Sequence, residues 1–96
     1  MRTLNDRTFR EFIADGEKIV VCTAGYCKLC SNAIKQVEDI EGIAVICLTA
    51  ANSIATMSRL NVKKVPTVIT YRDGKEVKRA VGTTALFNAI DQACKS

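Results

Sequence analysis

Residues 18–40 read KIVVCTAGYCKLCSNAIKQVEDI, and this stretch decides the fold. Its first six residues, 18–23, contain the apolar run IVVC and have the length of one buried strand. Cys27 and Cys30 follow a short loop, and from residue 28 to about residue 40 apolar side chains recur at helical spacing. The sequence therefore predicts a strand, a loop and a helix that begins at the two cysteines.

The segments on both sides continue this alternation of helices and strands. Apolar residues at helical spacing predict one helix before the stretch and one after it, on Phe9, Phe12 and Ile13, and on Ile54, Met57 and Leu60. Between them, residues 43–48 form a short β-branched run, which is typical of an interior strand covered on both faces. Asn61 is the predicted left-handed end of the later helix, because asparagine tolerates that conformation.

The dipeptide Asp73-Gly74 predicts the closing part of the sheet. It suits the positive backbone angles of a two-residue hairpin turn, so Thr67–Arg72 and Lys75–Val81 should pair as antiparallel strands. A last helix follows on apolar residues between positions 85 and 93. Because right-handed crossovers make the two earlier strands parallel, we expect an α/β fold: a mixed four-stranded sheet with helices on both faces, in the order α-β-α-β-α-β-β-α.

Length, charge and composition limit the possible functions. The chain has 96 residues, which suits one domain over residues 1–96, and its 48% apolar content argues against disorder. The net charge of +4 comes from scattered basic residues without a run of five, so no nucleic-acid partner is expected. The longest apolar stretch, residues 43–51, is far shorter than the roughly 20 residues of a membrane span. We expect a monomer that does not bind membranes.

The five cysteines, an odd number, indicate thiol chemistry or metal binding more than a structural disulfide framework. The amino-terminal residues MRTLNDRTFREF are charged and form no secretory signal, so we expect a reducing, cytoplasmic location. Zinc is disfavoured because the chain has no histidine and no second CxxC pair, and haem attachment because Ser31 stands where that motif has histidine. No metal or other cofactor is expected beyond a reversible Cys27–Cys30 disulfide.

The two cysteines at the predicted helix start have different expected roles. Cys27 lies where backbone N–H groups and the helix dipole stabilise a thiolate over a thiol, and Lys28 adds a nearby positive charge. Cys27 is therefore the predicted nucleophile. Cys30 lies one turn inside the helix and is predicted to resolve the mixed disulfide. The alternative is an accidental pair of thiols.

Nearly the whole chain resembles the thioredoxin family. The resemblance rests on IADGEKIVV before the CxxC and on KVPTVITYRDGKEVKRAVG after it, with the family's spacing of active-site loop, proline loop, hairpin and glycine. It implies a cis peptide bond at Val65-Pro66 and substrate binding by Val65, Pro66 and Gly82, with Tyr26 and Lys28 beside the nucleophile. The family's first short strand is the exception, and we expect it to be missing or frayed in this chain.

The chain departs from the family pattern around the two cysteines. CKLC replaces the usual CGPC, and Tyr26 stands where tryptophan is usual. Val21 replaces a buried aspartate, and Cys47 replaces its lysine partner. With both charges gone, none is left unpaired in the core, but proton transfer at the resolving thiol must use water or another base. We expect Cys22, Cys47 and Cys94 to act as small apolar residues.

The resemblance implies a small dithiol oxidoreductase that reduces disulfides of protein substrates with electrons from a thioredoxin reductase. The closest rival is a glutaredoxin-like enzyme that uses glutathione. The segment AVGTTALF, residues 80–87, lacks the paired glycines and acidic residue of that family, whereas Lys63 and Lys64 would suit the carboxylates of glutathione. The remaining alternatives are a redox-silent module that binds proteins in the Pro66 groove, and a metal-binding protein.

Overall fold

The computed structural model describes residues 2–95; Met1 and Ser96, which belong to the predicted domain, lie outside this range. The strands and helices follow one another as β1 (Arg2–Leu4), α1 (Phe9–Ile13), β2 (Glu17–Thr23), α2 (Lys28–Ile34), β3 (Ile43–Cys47), α3 (Ile54–Leu60), β4 (Thr67–Arg72), β5 (Lys75–Val81) and α4 (Thr83–Lys95). Short 3-10 turns at Lys35–Val37 and Ala51–Ser53 follow α2 and precede α3.

Within residues 2–95, five strands form one mixed sheet in the order β1-β3-β2-β4-β5. β3 pairs in parallel with β1 and β2, and β4 pairs antiparallel with β2 and β5. Helices pack on both faces, so the predicted α/β class is confirmed.

The predicted count of four strands, and an element order that begins with a helix, are wrong. The additional strand β1 pairs with β3, with Leu4 opposite Ile46, so the family's first short strand is present. It has three residues, and of these Leu4 alone is buried. Such a strand is too short to show alternation, because it is defined by its partner rather than by its own pattern.

Each face of the sheet carries an apolar core. Val21 and Val68 belong to the core under α2 and α4, and the adjacent residues Val20 and Ile69 belong to the core under α1 and α3. Val20 and Val21 are both fully buried, which explains why β2 is a continuous apolar run rather than an alternating one. This burial on both faces fixes β2, and with it the loop that carries the two cysteines.

The ends and faces of α2 and α3 differ in part from the predictions. α2 ends at Ile34 rather than near residue 40, although buried Val37 prolongs the apolar spacing beyond the helix. Ile54, predicted to be buried, is 63% exposed. Met57 and Leu60 lie towards the sheet as predicted, and Thr56 and the preceding residue Ser53 complete this face in place of Ile54. Thr56 and Ser53 are polar, so an apolar pattern could locate only part of this face.

Two predicted backbone features are confirmed. Asp73 and Gly74 have φ angles of 50° and 86°, as a tight two-residue turn between β4 and β5 requires. Asn61 ends α3 in the left-handed conformation, with φ 54°. The short hairpin pairs β5 with one edge of β4, and the other edge of β4 pairs with β2, which determines where the proline loop lies.

Candidate active site

One end of the sheet collects the segments that were predicted to form the site. β2 and β3 are parallel, so the loop after Thr23 lies beside the end of β3 at Cys47. β4 runs the other way, and Cys22 lies opposite Thr67 in the register. The loop that ends at Pro66 therefore lies beside the loop that carries Cys27.

Cys27 and Cys30 form a disulfide, with their Cα atoms 5.3 Å apart. A turn closed by the Cys27 N–H, which donates to the Ala24 carbonyl oxygen at 3.0 Å, places Cys27 immediately before α2. Cys27 is partly buried, whereas Cys30 is 1% exposed and belongs to the core under α2. Of the two cysteines, Cys27 is the one that an incoming sulfur can reach.

The start of α2 provides a hydrogen bond to the accessible sulfur. The Cys30 backbone N–H donates to Cys27 Sγ at 3.3 Å. This N–H belongs to the first turn of the helix, where backbone donors have no partner within the helix. A donor directed at Sγ favours the thiolate over the thiol when the disulfide is reduced.

The predicted substrate-binding residues belong to segments at the same end of the sheet as the disulfide. Val65-Pro66 is cis, as expected, and the Gly82 N–H donates to the Pro66 carbonyl oxygen at 2.9 Å, so the fold brings Pro66 and Gly82 together. Pro66 is buried and Val65 is partly buried. Tyr26 and Lys28 flank Cys27 in sequence, and both side chains are exposed.

The thioredoxin family model matches residues 1–94 of the chain. The chain belongs to the thioredoxin family. With its CxxC pair, this membership supports a general role as a disulfide oxidoreductase.

Solved thioredoxin structures share this fold at low sequence identity. Thioredoxin from Trypanosoma brucei brucei is 20% identical, with a TM-score of 0.72 and coverage of 100% of this chain and 91% of that one. Thioredoxin f2 from Chlamydomonas reinhardtii is 19% identical, with a TM-score of 0.72 and coverage of 96% and 94%. Malassezia sympodialis thioredoxin is 14% identical, with a TM-score of 0.70 and coverage of 97% and 90%. A search of curated proteins gave no match.

The position at which thioredoxins usually bury an aspartate is apolar in this member. Val21 is fully buried and lies opposite Val45 and Val68 on the neighbouring strands. Cys47, predicted to stand at the position of the lysine partner, lies two residues beyond Val45 on β3, opposite Thr23. A charged group at the position of Val21 would lie among aliphatic side chains of the core under α2. The substitution to valine therefore removes the cost of burying that charge.

Cys47 differs from the expected small apolar residue, and sequence reasoning missed its environment. It is partly buried, and its Sγ lies 3.1 Å from Thr49 Oγ1. Burial raises the Cys47 pKa, but hydrogen bonds from Thr49, Ala50 and Gly25 outweigh it and leave the pKa below its ordinary value. The Gly25 N–H also donates to Thr49 Oγ1 at 3.1 Å, so Thr49 connects the thiol to the CxxC loop.

The other two cysteines have opposite environments. Cys22 is fully buried in β2, where burial raises its pKa to about 12, so it fits the predicted apolar role. Cys94 is exposed near the end of α4, so the predicted role of a small apolar residue does not fit its position. The helical spacing of Ala89, Ile90 and Ala93 defines the buried face of α4, and Cys94 lies just outside it.

Residues 2–95 contain neither a cluster of metal-binding side chains nor a helix that could cross a membrane. No group of three or more histidine, cysteine, aspartate or glutamate side chains in this range is placed to hold a metal ion. None of the helices described there combines the length and the apolar character that crossing a membrane requires.

Proposed function

We propose that this protein reduces disulfide bonds in other proteins by thiol–disulfide exchange, with Cys27 as the nucleophile and Cys30 as the resolving thiol. The observation that carries the proposal is the unequal burial of the two bonded sulfurs, since Cys27 is reachable and Cys30 lies in the core. Exchange requires this asymmetry, because a substrate must meet one sulfur and be released by the other.

The reaction begins with the reduced dithiol. The Cys27 thiolate, favoured by the Cys30 N–H, attacks one sulfur of the substrate disulfide. An S–S bond forms between Cys27 and the substrate, and the other substrate sulfur leaves as a thiolate that takes a proton from water. Cys30 then loses its proton and attacks Cys27 Sγ. The Cys27–Cys30 disulfide forms, the second substrate thiolate leaves, and two electrons have passed to the substrate.

The proton of Cys30 leaves by way of water in this scheme. Val21 supplies no carboxylate beneath the disulfide, so the core offers no acid or base at that position. We expect resolution by Cys30 to be slower relative to attack by Cys27 than in thioredoxins that bury an aspartate there.

The substrate lies as an extended segment along Val65 and Pro66, in the manner of an added strand. Gly82 holds the Pro66 carbonyl from the other side, which fixes the loop against which the segment rests. Tyr26 and Lys28 border this groove. The groove suits a protein chain better than a single small thiol, because backbone recognition needs several residues.

We propose a thioredoxin reductase as the electron donor and the cytoplasm as the location. The loop after Gly82 offers no acidic group for the amine of glutathione, although Lys63 and Lys64 would pair with its carboxylates. Insulin reduction should therefore proceed faster with a thioredoxin reductase than with glutathione and its reductase. The opposite order would assign the protein to the glutathione-dependent class.

The experiment that tests the proposal is insulin reduction driven by dithiothreitol, with three single variants. Cys27→Ser should abolish turnover. Cys30→Ser, reduced and then freed of dithiothreitol, should form a stable mixed disulfide with the substrate, which mass spectrometry detects. Cys94→Ser is the matched control, because that thiol is exposed outside the site, and it should keep full activity. Insulin binding without reduction by the wild-type protein would instead indicate a redox-silent binding module.

A further inference from the structure

The acidic residues of this chain are distributed unevenly. Residues 18–37, 42–72 and 77–90 contain no aspartate or glutamate, although basic residues occur in all three segments. The ten acidic residues fall instead within residues 6–17, 38–41 and 73–76, and at Asp91. The fold turns this pattern along the sequence into a separation in space.

Most acidic residues lie at the end of the sheet opposite the disulfide. Residues 11–17 lead into β2 and residues 38–41 lead into β3, and the amino ends of these parallel strands lie together. The β4–β5 hairpin lies at the same end, because Glu17 is opposite Arg72 and the Gly16 N–H donates to Asp73 Oδ1 at 2.9 Å. Eight of the ten acidic residues belong to these segments.

The two remaining carboxylates lie outside the loops around the disulfide. Asp6 follows β1 at the disulfide end of the sheet, but its carboxylate is engaged at the start of α3, where it accepts hydrogen bonds from the backbone N–H groups of Thr56, at 2.8 Å, and Ala55, at 3.3 Å. Asp91 pairs with Lys95 at 3.1 Å in the last turns of α4. No carboxylate belongs to residues 24–35 or 61–67, which flank Cys27 and Pro66.

The end that holds the disulfide presents cations and apolar side chains instead. Lys28 follows Cys27 directly, and Lys63 and Lys64 precede the proline loop; all three are exposed. Thr67 Oγ1 donates to the Lys64 carbonyl oxygen at 2.6 Å, which holds that lysine next to the start of β4. Tyr26 and Leu29 are large apolar residues that are 65% and 49% exposed. We refer to residues 26–29 and 63–66 as the docking face.

We propose that the docking face selects disulfides in acidic protein segments that also carry apolar residues. This inference rests on the proposed function and adds the substrate class to it. Acidic side chains near the substrate disulfide meet Lys28, Lys63 and Lys64, while its apolar side chains cover Tyr26 and Leu29. A basic segment meets three like charges without a carboxylate in the adjoining loops to offset them.

The separation of charge also orients an approaching substrate. An acidic segment is attracted to the end that holds Cys27, where the three lysines have no carboxylate in the adjoining loops. It is attracted less to the far end, where Glu17 and Glu76 pair with Arg72 and Arg79. Steering of this kind raises association rates by roughly tenfold or more at low ionic strength. It weakens as salt increases, since the screening length falls to about 3 Å at 1 M salt. A steep salt dependence of turnover is therefore a signature of the docking face.

Three disulfide peptides that differ only in flanking glutamate, glutamine or lysine residues test the inference. With the wild-type protein at low ionic strength, kcat/KM should decrease in the order glutamate, glutamine, lysine, by roughly tenfold between the extremes. The three values should converge at about 1 M salt. Equal values at low salt would overturn the inference but leave the proposed function intact, whereas no turnover of any peptide would overturn the proposed function itself.

Two double variants that remove the same charge distinguish the effect of the docking face on substrate selection from the effect of net charge. Lys63→Gln with Lys64→Gln should reduce the ratio of the glutamate value to the lysine value severalfold. The ratio is the proper measure, because any change in the reactivity of Cys27 affects both peptides and cancels. The control, Lys75→Gln with Lys95→Gln, removes the same charge from the far end and should preserve the ratio. An equal loss of the ratio in both pairs would mean that net charge alone is responsible, and would overturn the inference.

Discussion

Replacement of Tyr71 with phenylalanine should increase the free energy of unfolding of this protein. Tyr71 lies in β4 and is 4% exposed, and its hydroxyl is buried with no hydrogen-bond partner among residues 2–95. Its ring packs edge-on against Phe9, with the ring centroids 5.7 Å apart. The hydroxyl therefore loses its hydration on folding and gains no partner, whereas the ring keeps its packing in the variant.

The size of the expected increase follows from the cost of burying the Tyr71 hydroxyl without a partner. A buried polar group without a partner costs about 1–3 kcal/mol. Phenylalanine removes that cost but leaves a small void where the hydroxyl was, so we expect the free energy of unfolding to rise by about 1 kcal/mol. The advantage should grow above pH 10. Burial raises the pKa of Tyr71 to about 12 from 10.0, so ionisation in the unfolded chain destabilises the wild-type fold in that interval and not the variant.

Urea unfolding of wild-type, Tyr71→Phe and Tyr26→Phe proteins at pH 7 and pH 10.5 measures the effect. Tyr26 is the control, because its side chain is 65% exposed and its hydroxyl keeps its hydration. Tyr26→Phe should leave the free energy of unfolding unchanged. A loss of about 1 kcal/mol or more in Tyr71→Phe would refute the reasoning, because it would show that the hydroxyl has a partner that contributes to stability.

Two further predictions concern the other thiols. Thr49→Val removes the hydroxyl that bonds Cys47 and Gly25, so the Cys47 pKa should rise and alkylation of Cys47 at neutral pH should slow. Thr49→Ser restores a hydroxyl and should restore the alkylation rate. An unchanged rate in Thr49→Val would contradict the prediction. The Cys22 pKa is about 12 in the fold and 9.0 in the unfolded chain, so its contribution to stability is complete below pH 9 and is lost as the pH rises towards 12. Between pH 9 and pH 10, below the interval in which Tyr71 contributes, the free energy of unfolding should fall by about 1.4 kcal/mol per pH unit, and a Cys22→Ala protein that keeps this slope there would assign it to another group.

Much of the fold follows from local patterns that tertiary contacts did not override. The apolar run of β2, the Asp73-Gly74 turn and the left-handed Asn61 each have a physical cause within a few residues, and each was predicted correctly. β1 and the buried face of α3 have causes elsewhere in the chain. β1 exists because β3 offers an open edge, and the α3 face includes Ser53 and Thr56, whose burial no hydropathy pattern indicates.

The candidate site was predictable to a similar extent. Spacing placed Cys27 and Cys30 at a helix start, which the structure confirms, and the resemblance grouped Pro66 with Gly82, which the structure joins by a hydrogen bond. The environment of Cys47 was not predictable. It depends on the Thr49 hydroxyl, two residues later, and on the Gly25 N–H, twenty-two residues earlier in the chain. The register between β2 and β3 brings these two groups together.

The five cysteines have the same side chain, so the differences in their pKa and accessibility must arise from their positions in the fold. Cys22 points into a two-sided core and is held as a thiol, whereas Cys47, at the end of the next strand, meets N–H and hydroxyl donors and loses its proton more readily. Cys27 and Cys30 differ in the same manner across one helical turn, one reachable and the other buried. Strand ends and helix starts supply unpaired donors, and strand centres do not. Reactive thiols therefore gather at the end of the sheet where β2 and β3 finish, which is also the end from which the fold excludes most carboxylates.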